Sequence, residues 1–134
     1  MNKTLGWLTI ATAFTVAACA NKVTMNRSEA VPAAEGRVQV AKESNNMREI
    51  QLQVRHLAPP ERVSAQASHY VVWLQPMIPE AGPSNLGVLS LGENQEGQMD
   101  ATTPYKSFQL FVTAEQDPQS TEPSGDRLLW TTVE

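Results

Sequence analysis

The chain has 134 residues and a net charge of −4, and 41% of its residues are hydrophobic. This length is enough for one domain with a core of its own but not for two. The acidic residues are concentrated in the second half, where residues 80–134 contain nine carboxylates and only two basic side chains, Lys106 and Arg127. Because nucleic-acid binding requires cations that neutralise phosphates, this distribution excludes DNA and RNA as partners.

Residues near the start of the sequence have the layout of a secretory signal. Lys3 precedes an apolar run from about Leu5 to Val16, and two alanines then lead to Cys19, the only cysteine in the sequence. The run is about a dozen residues long, whereas a membrane-spanning helix needs about 20 apolar residues. The sequence therefore predicts a signal peptide over residues 1–18. Its removal takes away one positive charge, that of Lys3, and changes the net charge from −4 to −5.

The segment Val16-Ala17-Ala18-Cys19 resembles the lipobox of bacterial lipoproteins. The resemblance implies that the thiol of Cys19 is acylated and that the lipid anchors the chain to a membrane. In Gram-negative members of the family, an aspartate after the cysteine implies retention in the inner membrane. Ala20 at that position implies the outer membrane instead, with the domain facing the periplasm. Two other interpretations of the residues remain open: an ordinary cleaved signal that leaves a free thiol, and a buried structural cysteine.

Residues 19–35 are predicted to be the lipidated cysteine followed by a flexible tether. The stretch from Ala20 to Glu35 is rich in small and polar residues, has little periodicity and contains Pro32. About 16 residues of flexible chain have a root-mean-square span of roughly 20–25 Å and an extended reach of about 55 Å. The domain is therefore expected to occupy residues 36–134 and to move freely in a shell next to the membrane.

From Gly36 onward, polar and apolar residues alternate as they do in half-buried strands. Strands are predicted over residues 37–40 and 49–55, joined by a hairpin turn at residues 43–46 that contains two asparagines. A third strand is predicted over residues 70–74, where apolar residues on both faces indicate a central position in a sheet. Four further strands are predicted over residues 85–91, 98–103, 107–115 and 127–133.

Seven short strands separated by Pro and Gly, without a convincing amphipathic helix, predict an all-β protein. The strand count and the tryptophan on the third strand favour an immunoglobulin-like antiparallel β-sandwich. Trp73 is expected to take the place of the core tryptophan that such sandwiches often carry, here without the disulfide against which it packs in antibodies.

The stretches YVVWL, NLGVLSL and SFQLFVTAE, together with the turn Pro123-Ser124-Gly125, also resemble the extracytoplasmic domain of anti-sigma-factor-like proteins. The resemblance covers residues 70–133 and implies the fold and an extracytoplasmic location. It does not imply an anti-sigma role, because the sequence has no transmembrane helix and no cytoplasmic segment that could hold a sigma factor.

Two histidines are the candidate metal ligands. His56 follows the second predicted strand and His69 begins the third, and with Glu61 they could bind zinc or copper if these strands are neighbours. Metal sites usually require three or four ligands at closer spacing, so both histidines are interpreted as strand-end residues and no cofactor is predicted. Ser68 precedes His69, but no G-x-S-x-G elbow or Gly-rich oxyanion loop accompanies this pair, and no enzymatic activity is predicted.

Met77 and Ile78 lie between prolines and are the candidate anchor for a protein partner, the alternative being that they cover an end of the sandwich. The sequence predicts a lipid-anchored, non-catalytic binding or structural module of the bacterial envelope, with another envelope protein as its partner. The alternative function is a small-ligand or metal carrier that uses His56 and His69.

Overall fold

Two antiparallel sheets pack face to face in the computed structural model, which describes residues 21–42 and 45–134. The first sheet contains, in spatial order, β1 (Asn21–Thr24), β3 (Glu35–Lys42), β4 (Arg48–Arg55) and β7 (Gly97–Thr103). The second contains, in spatial order, β2 (Asn26–Arg27), β9 (Leu129–Val133), β8 (Phe108–Glu115), β5 (His69–Pro76) and β6 (Ser84–Leu89). A single helical turn, α1 (Pro60–Val63), lies between β4 and β5.

The strand order confirms the predicted immunoglobulin-like β-sandwich. The neighbours β3-β4-β7 correspond to strands A, B and E of that fold, and β9-β8-β5-β6 correspond to G, F, C and C′. The seven strands predicted from the sequence are all present. β1 and β2 are additional, which makes nine strands in the part of the chain that the structure describes.

Burial along the strands follows the residue pattern. In β4, Ile50, Leu52 and Val54 are buried and the residues between them are exposed. This alternation is typical of an antiparallel sheet with one face in the core and one face exposed to solvent. All residues from Tyr70 to Leu74 are buried, and β5 lies between β8 and β6, which confirms its predicted central position. Gly87 has a φ of 130° where the pairing register of β5 and β6 shifts, so a glycine is required at this irregularity.

Residues 21–35 belong to the sandwich, so the prediction of a flexible tether over them is wrong. β1 pairs with β3 and β2 pairs with β9, so this segment adds one edge strand to each sheet. Its side chains Met25, Val31 and Ala34 are buried in the core between the sheets. Gly36 permits this packing, because a Cβ there would lie 2.8 Å from the sulfur of Met25. The segment changes sheets after four residues, which explains why its sequence lacks the long alternation of a strand.

Trp73 is fully buried, but the prediction that it lies in the core between the sheets is wrong. Alternate residues of β5, beginning with Tyr70, face the first sheet, whereas Val71 and Trp73 lie on the outer face. There they form a second, smaller hydrophobic cluster with Phe111, whose ring centroid is 6.5 Å from that of Trp73. Because side chains alternate along a strand, the position of Trp73 follows from the residues beside it, which occupy the main core.

Candidate functional site

The two ends of the sandwich differ in chemistry, and their positions follow from the strand register. Asn21, where β1 begins, pairs with Val40 close to the hairpin that joins β3 to β4. After that hairpin, β4 begins at Arg48, which pairs with Thr103. Thr103 is the last residue of β7, before the connection to the second sheet. We call this the N-terminal end. The opposite end, which contains α1 and the connection from β6 to β7, is called the distal end.

The N-terminal end carries the exposed apolar side chains. Met77, Ile78 and Tyr105 are 48%, 50% and 38% exposed, and they are the exposed large hydrophobic residues in the described part of the chain. The loops that contain them are joined, because the backbone N–H of Met77 donates to the carbonyl of Ser107 at 3.1 Å. Met77 and Ile78 were candidates from the sequence, and their exposure leaves them free to contact a partner. Tyr105 was not a candidate, although an aromatic residue between Pro104 and Lys106 in a loop was a usable signal.

Three basic side chains also lie at the N-terminal end. Lys42, Arg48 and Lys106 line a hollow around Met47 at the same end of the sandwich. The guanidinium group of Arg48 donates to the backbone carbonyl of Lys106 at 2.7 Å, which connects the first sheet to the loop after β7. The N-terminal end therefore carries apolar and basic side chains, together with the carboxylates of Glu80 and Glu134.

An open groove with a volume of about 540 Å³ occupies the distal end. Its walls come from the start of α1, the start of β5 and the chain that follows β6. The groove is partly apolar and contains two carboxylates and an imidazole; its lining includes Pro59, Pro60, Glu61, Ser68, His69, Leu91 and Glu93.

Hydrogen bonds and burial fix the floor of this groove. The hydroxyl of Tyr70 donates to the carbonyl of Ala58 and so holds the loop before α1 against β5. Burial, together with the nearby charge of Glu61, raises the pKa of Tyr70 to about 12. Tyr70 therefore stays protonated and acts as a structural donor. Ser68 and the Nδ1 atom of His69 are 2.7 Å apart, so the hydroxyl and the imidazole of the predicted pair are hydrogen-bonded.

The two candidate metal ligands do not meet in a cluster. His69 lines the groove, whereas His56 is exposed just after β4 with a φ of 55° and is not part of the groove lining. Among the described residues, no group of three or more His, Cys, Asp or Glu side chains is close enough to hold a metal ion. The three-ligand zinc or copper site drawn from His56, His69 and Glu61 is therefore not formed in the structure.

Glu115 is a buried carboxylate on the outer face of the second sheet, and sequence reasoning did not identify it. It accepts hydrogen bonds from the backbone N–H groups of Ser124 and Gly125 at 3.0 and 3.1 Å, and from the hydroxyls of Ser124 and Thr113 at 2.6 Å. Burial alone would raise the pKa of Glu115, but these bonds outweigh it and hold the pKa below its ordinary value. The carboxylate thus attaches Ser124 and Gly125, near the end of the loop over residues 116–126, to β8, which is a structural role.

Cys19 and the predicted signal peptide lie outside the described residues. In residues 21–42 and 45–134, no helix is long and apolar enough to cross a membrane.

The strand order and the two-sheet packing place this chain in the class of immunoglobulin-like β-sandwich proteins. No family model and no curated protein matches its sequence. Among solved structures, it is similar to the clock protein EA4, with a TM-score of 0.53 and 10% sequence identity over 84% of this chain and 92% of that chain. At this identity the similarity shows the fold alone.

Proposed function

We propose that this chain is a lipoprotein of the bacterial envelope, anchored through Cys19 to the outer membrane and facing the periplasm. Its β-sandwich is a non-catalytic binding module. The observation that carries the proposal is the position of Asn21, two residues after Cys19, at the end of the sandwich opposite the groove. An acylated Cys19 would project from the N-terminal end, and the groove would point away from the membrane. Strands of eight residues rise about 3.3 Å per residue, so the groove would be presented about 25 Å from the anchor.

The groove supports a binding role because it combines charge with apolar surface. Glu61 and Glu93 contribute negative charge, and Leu91 and the two prolines before Glu61 contribute apolar contact area. Complementarity favours a partner segment that carries basic and apolar side chains, such as an extended part of another envelope protein. The lipid would keep the groove close to such a partner and raise the effective concentration of the two proteins.

Replacing Cys19 with serine is expected to abolish lipid attachment completely, because Cys19 is the only thiol in the chain. Cells given an alkyne analogue of palmitate should label the wild-type protein and not Cys19→Ser. The wild type should sediment with outer membranes, whereas the variant should be lost from that fraction. Stable anchoring requires about two acyl chains, so the expected change in membrane association is nearly all-or-none.

A matched control separates the lipobox from the mere presence of a thiol. The double variant Cys19→Ser, Glu93→Cys restores one cysteine at the distal end of the sandwich, and it should remain unlabelled. An unlabelled wild-type protein in the soluble periplasm would contradict lipidation and support ordinary cleavage of the signal. Persistent labelling of Cys19→Ser would contradict the assignment of the acylated residue.

A photo-crosslinking amino acid at Glu93 is expected to capture a partner in intact cells, whereas the same amino acid at Gln53 should not. Gln53 is exposed on the outer face of the first sheet, away from the groove. Reversing the charge with Glu61→Lys should lower the crosslinking yield from position 93, by up to about tenfold if one close charge pair is replaced by repulsion. Equal yields at positions 53 and 93, or no effect of Glu61→Lys, would show that the groove is not the binding surface.

A further inference from the structure

We infer that the N-terminal end of the sandwich docks directly on the bilayer surface, with Met77, Ile78 and Tyr105 inserted among the lipid headgroups. The inference rests on the proposed anchoring through Cys19, and it assigns Met77 and Ile78 to contact with lipid rather than with a protein. It identifies the occupant of this exposed apolar surface as a phospholipid membrane.

The length of chain between the lipid and the first strand supports this occupant. Extended chain spans at most about 3.6 Å per residue, so the Cα atoms of Cys19 and Asn21 are separated by at most about 7 Å. The headgroup region on each side of a bilayer is about 5–8 Å thick, which is similar to this maximal separation. Because β1 begins at Asn21 and is paired with β3, the sandwich cannot move away on a flexible tether. Its N-terminal end therefore has to lie at the membrane surface.

The side chains at this end suit a membrane interface. Met77 and Ile78 follow Pro76 and precede Pro79, so the ring of each proline restricts the backbone that presents them. Tyr105 has an apolar ring and a polar hydroxyl, which is the combination enriched at the headgroup level of membranes. The hydrogen bond between Met77 and Ser107 joins the two loops, so the surface is presented as one unit.

The charges at this end are also compatible with lipid headgroups. Lys106, one of the two basic residues after position 79, lies here together with Lys42 and Arg48. Glu80 and Glu134 are carboxylates at the same end. The rest of the second half is acidic, so its repulsion by anionic lipid favours the orientation in which the N-terminal end faces the bilayer.

Quenching of tryptophan fluorescence by brominated phospholipids tests this orientation. The mature chain from Cys19 contains only Trp73 and Trp130, because the third tryptophan is in the signal peptide. The Cys19 thiol is coupled to a maleimide lipid in phosphatidylethanolamine–phosphatidylglycerol vesicles. This reaction attaches the protein to the membrane without acylation in cells. Two variants, Ile78→Trp and Glu93→Trp, each add one tryptophan, at the N-terminal end and at the distal end. The signal of the coupled wild type is subtracted from both.

Brominated vesicles are expected to quench roughly half of the emission added by Ile78→Trp, because interfacial side chains reach about 5–10 Å into the headgroup and acyl boundary. The emission added by Glu93→Trp should be unaffected. Equal quenching of the two variants, or none at position 78, would overturn the inference, and the latter result would return Met77 and Ile78 to a role in binding protein. Since the coupling is chemical, failure of docking is distinguishable from failure of acylation in cells, which palmitate labelling reports.

Discussion

Replacing Trp73 with alanine is expected to lower the free energy of unfolding by about 3–5 kcal/mol, a large part of the 5–15 kcal/mol typical of a domain. The indole ring is fully buried on the outer face of the second sheet, where it stacks on Phe111 at an interplanar angle of 18°. Its Nε1 atom donates to the hydroxyl of Thr113 at 2.8 Å. Truncation would remove the ring from the small cluster and leave a cavity beside Phe111. Urea unfolding followed by circular dichroism measures the loss.

Two further variants separate packing from hydrogen bonding at this position. Trp73→Phe keeps an aromatic ring but removes the donor to Thr113, and it is expected to cost about 1–2 kcal/mol. Trp130→Ala removes a partly exposed ring from the same cluster and should cost less than Trp73→Ala. If Trp73→Ala costs no more than Trp130→Ala, the outer cluster contributes little, and the core between the sheets alone holds the fold.

The strands could be predicted where burial alternates over a long run. β4 shows this pattern, whereas β8 is buried along nearly its whole length and was recognised from its aromatic and β-branched residues. The sequence predicted both strands within one residue of their observed bounds. The N-terminal segment could not be recognised, because β1 has only four residues and β2 only two, too few for a period to be visible. Met25, between these two strands, and Val31, after β2, contribute to the core, but single apolar residues among polar ones are equally typical of a linker.

The position of Trp73 shows a different limit of the sequence. An apolar run such as YVVWL indicates a strand that is buried on both faces, but it does not say which face is covered by the second sheet. In the structure, Val71 and Trp73 on the outer face of β5 pack with Phe111 of β8, and Trp130 of β9 packs against the same cluster. These contacts join residues far apart in sequence, and no local pattern reports them.

The candidate surfaces were recognised only in part. Met77 and Ile78 could be identified because prolines on both sides predict an exposed loop. The groove could not, because it joins Glu61 of α1, His69 at the start of β5 and Glu93 after β6, which come together only through the sheet topology. The function of each surface therefore has to be argued from the fold, in which β1 begins at Asn21 at the end opposite the groove.

Glu115→Gln is expected to lower the free energy of unfolding at pH 7 by about 2 kcal/mol, because hydrogen bonds to a charged acceptor contribute about 1.5–3 kcal/mol each and a glutamine retains only part of them. The carboxylate accepts from Ser124, Gly125 and Thr113, so both of its oxygens are used. A glutamine side chain has one acceptor oxygen, and its NH₂ group would face donors of the protein. The loop over residues 116–126 would then lose part of its attachment.

The same variant should show a distinctive dependence on pH. The pKa of Glu115 is lower in the folded protein than in the unfolded chain, where the pKa of glutamate is about 4.3. Above that unfolded value the stabilisation by the carboxylate is fully present, and it is lost as the pH falls through the folded pKa, because protonation then favours the unfolded chain. The gap in unfolding free energy between wild type and Glu115→Gln should therefore be constant from pH 7 to about pH 5 and shrink at lower pH.

Urea unfolding at a series of pH values from neutral to acid measures this gap. Glu122→Gln is the matched control, since Glu122 is exposed in the same loop and the substitution is chemically identical. It should show almost no difference from wild type at any pH. A gap for Glu115→Gln that persists unchanged in acid would mean that the glutamine acts through altered packing. A gap that closes would assign the attachment of the loop to the ionised carboxylate.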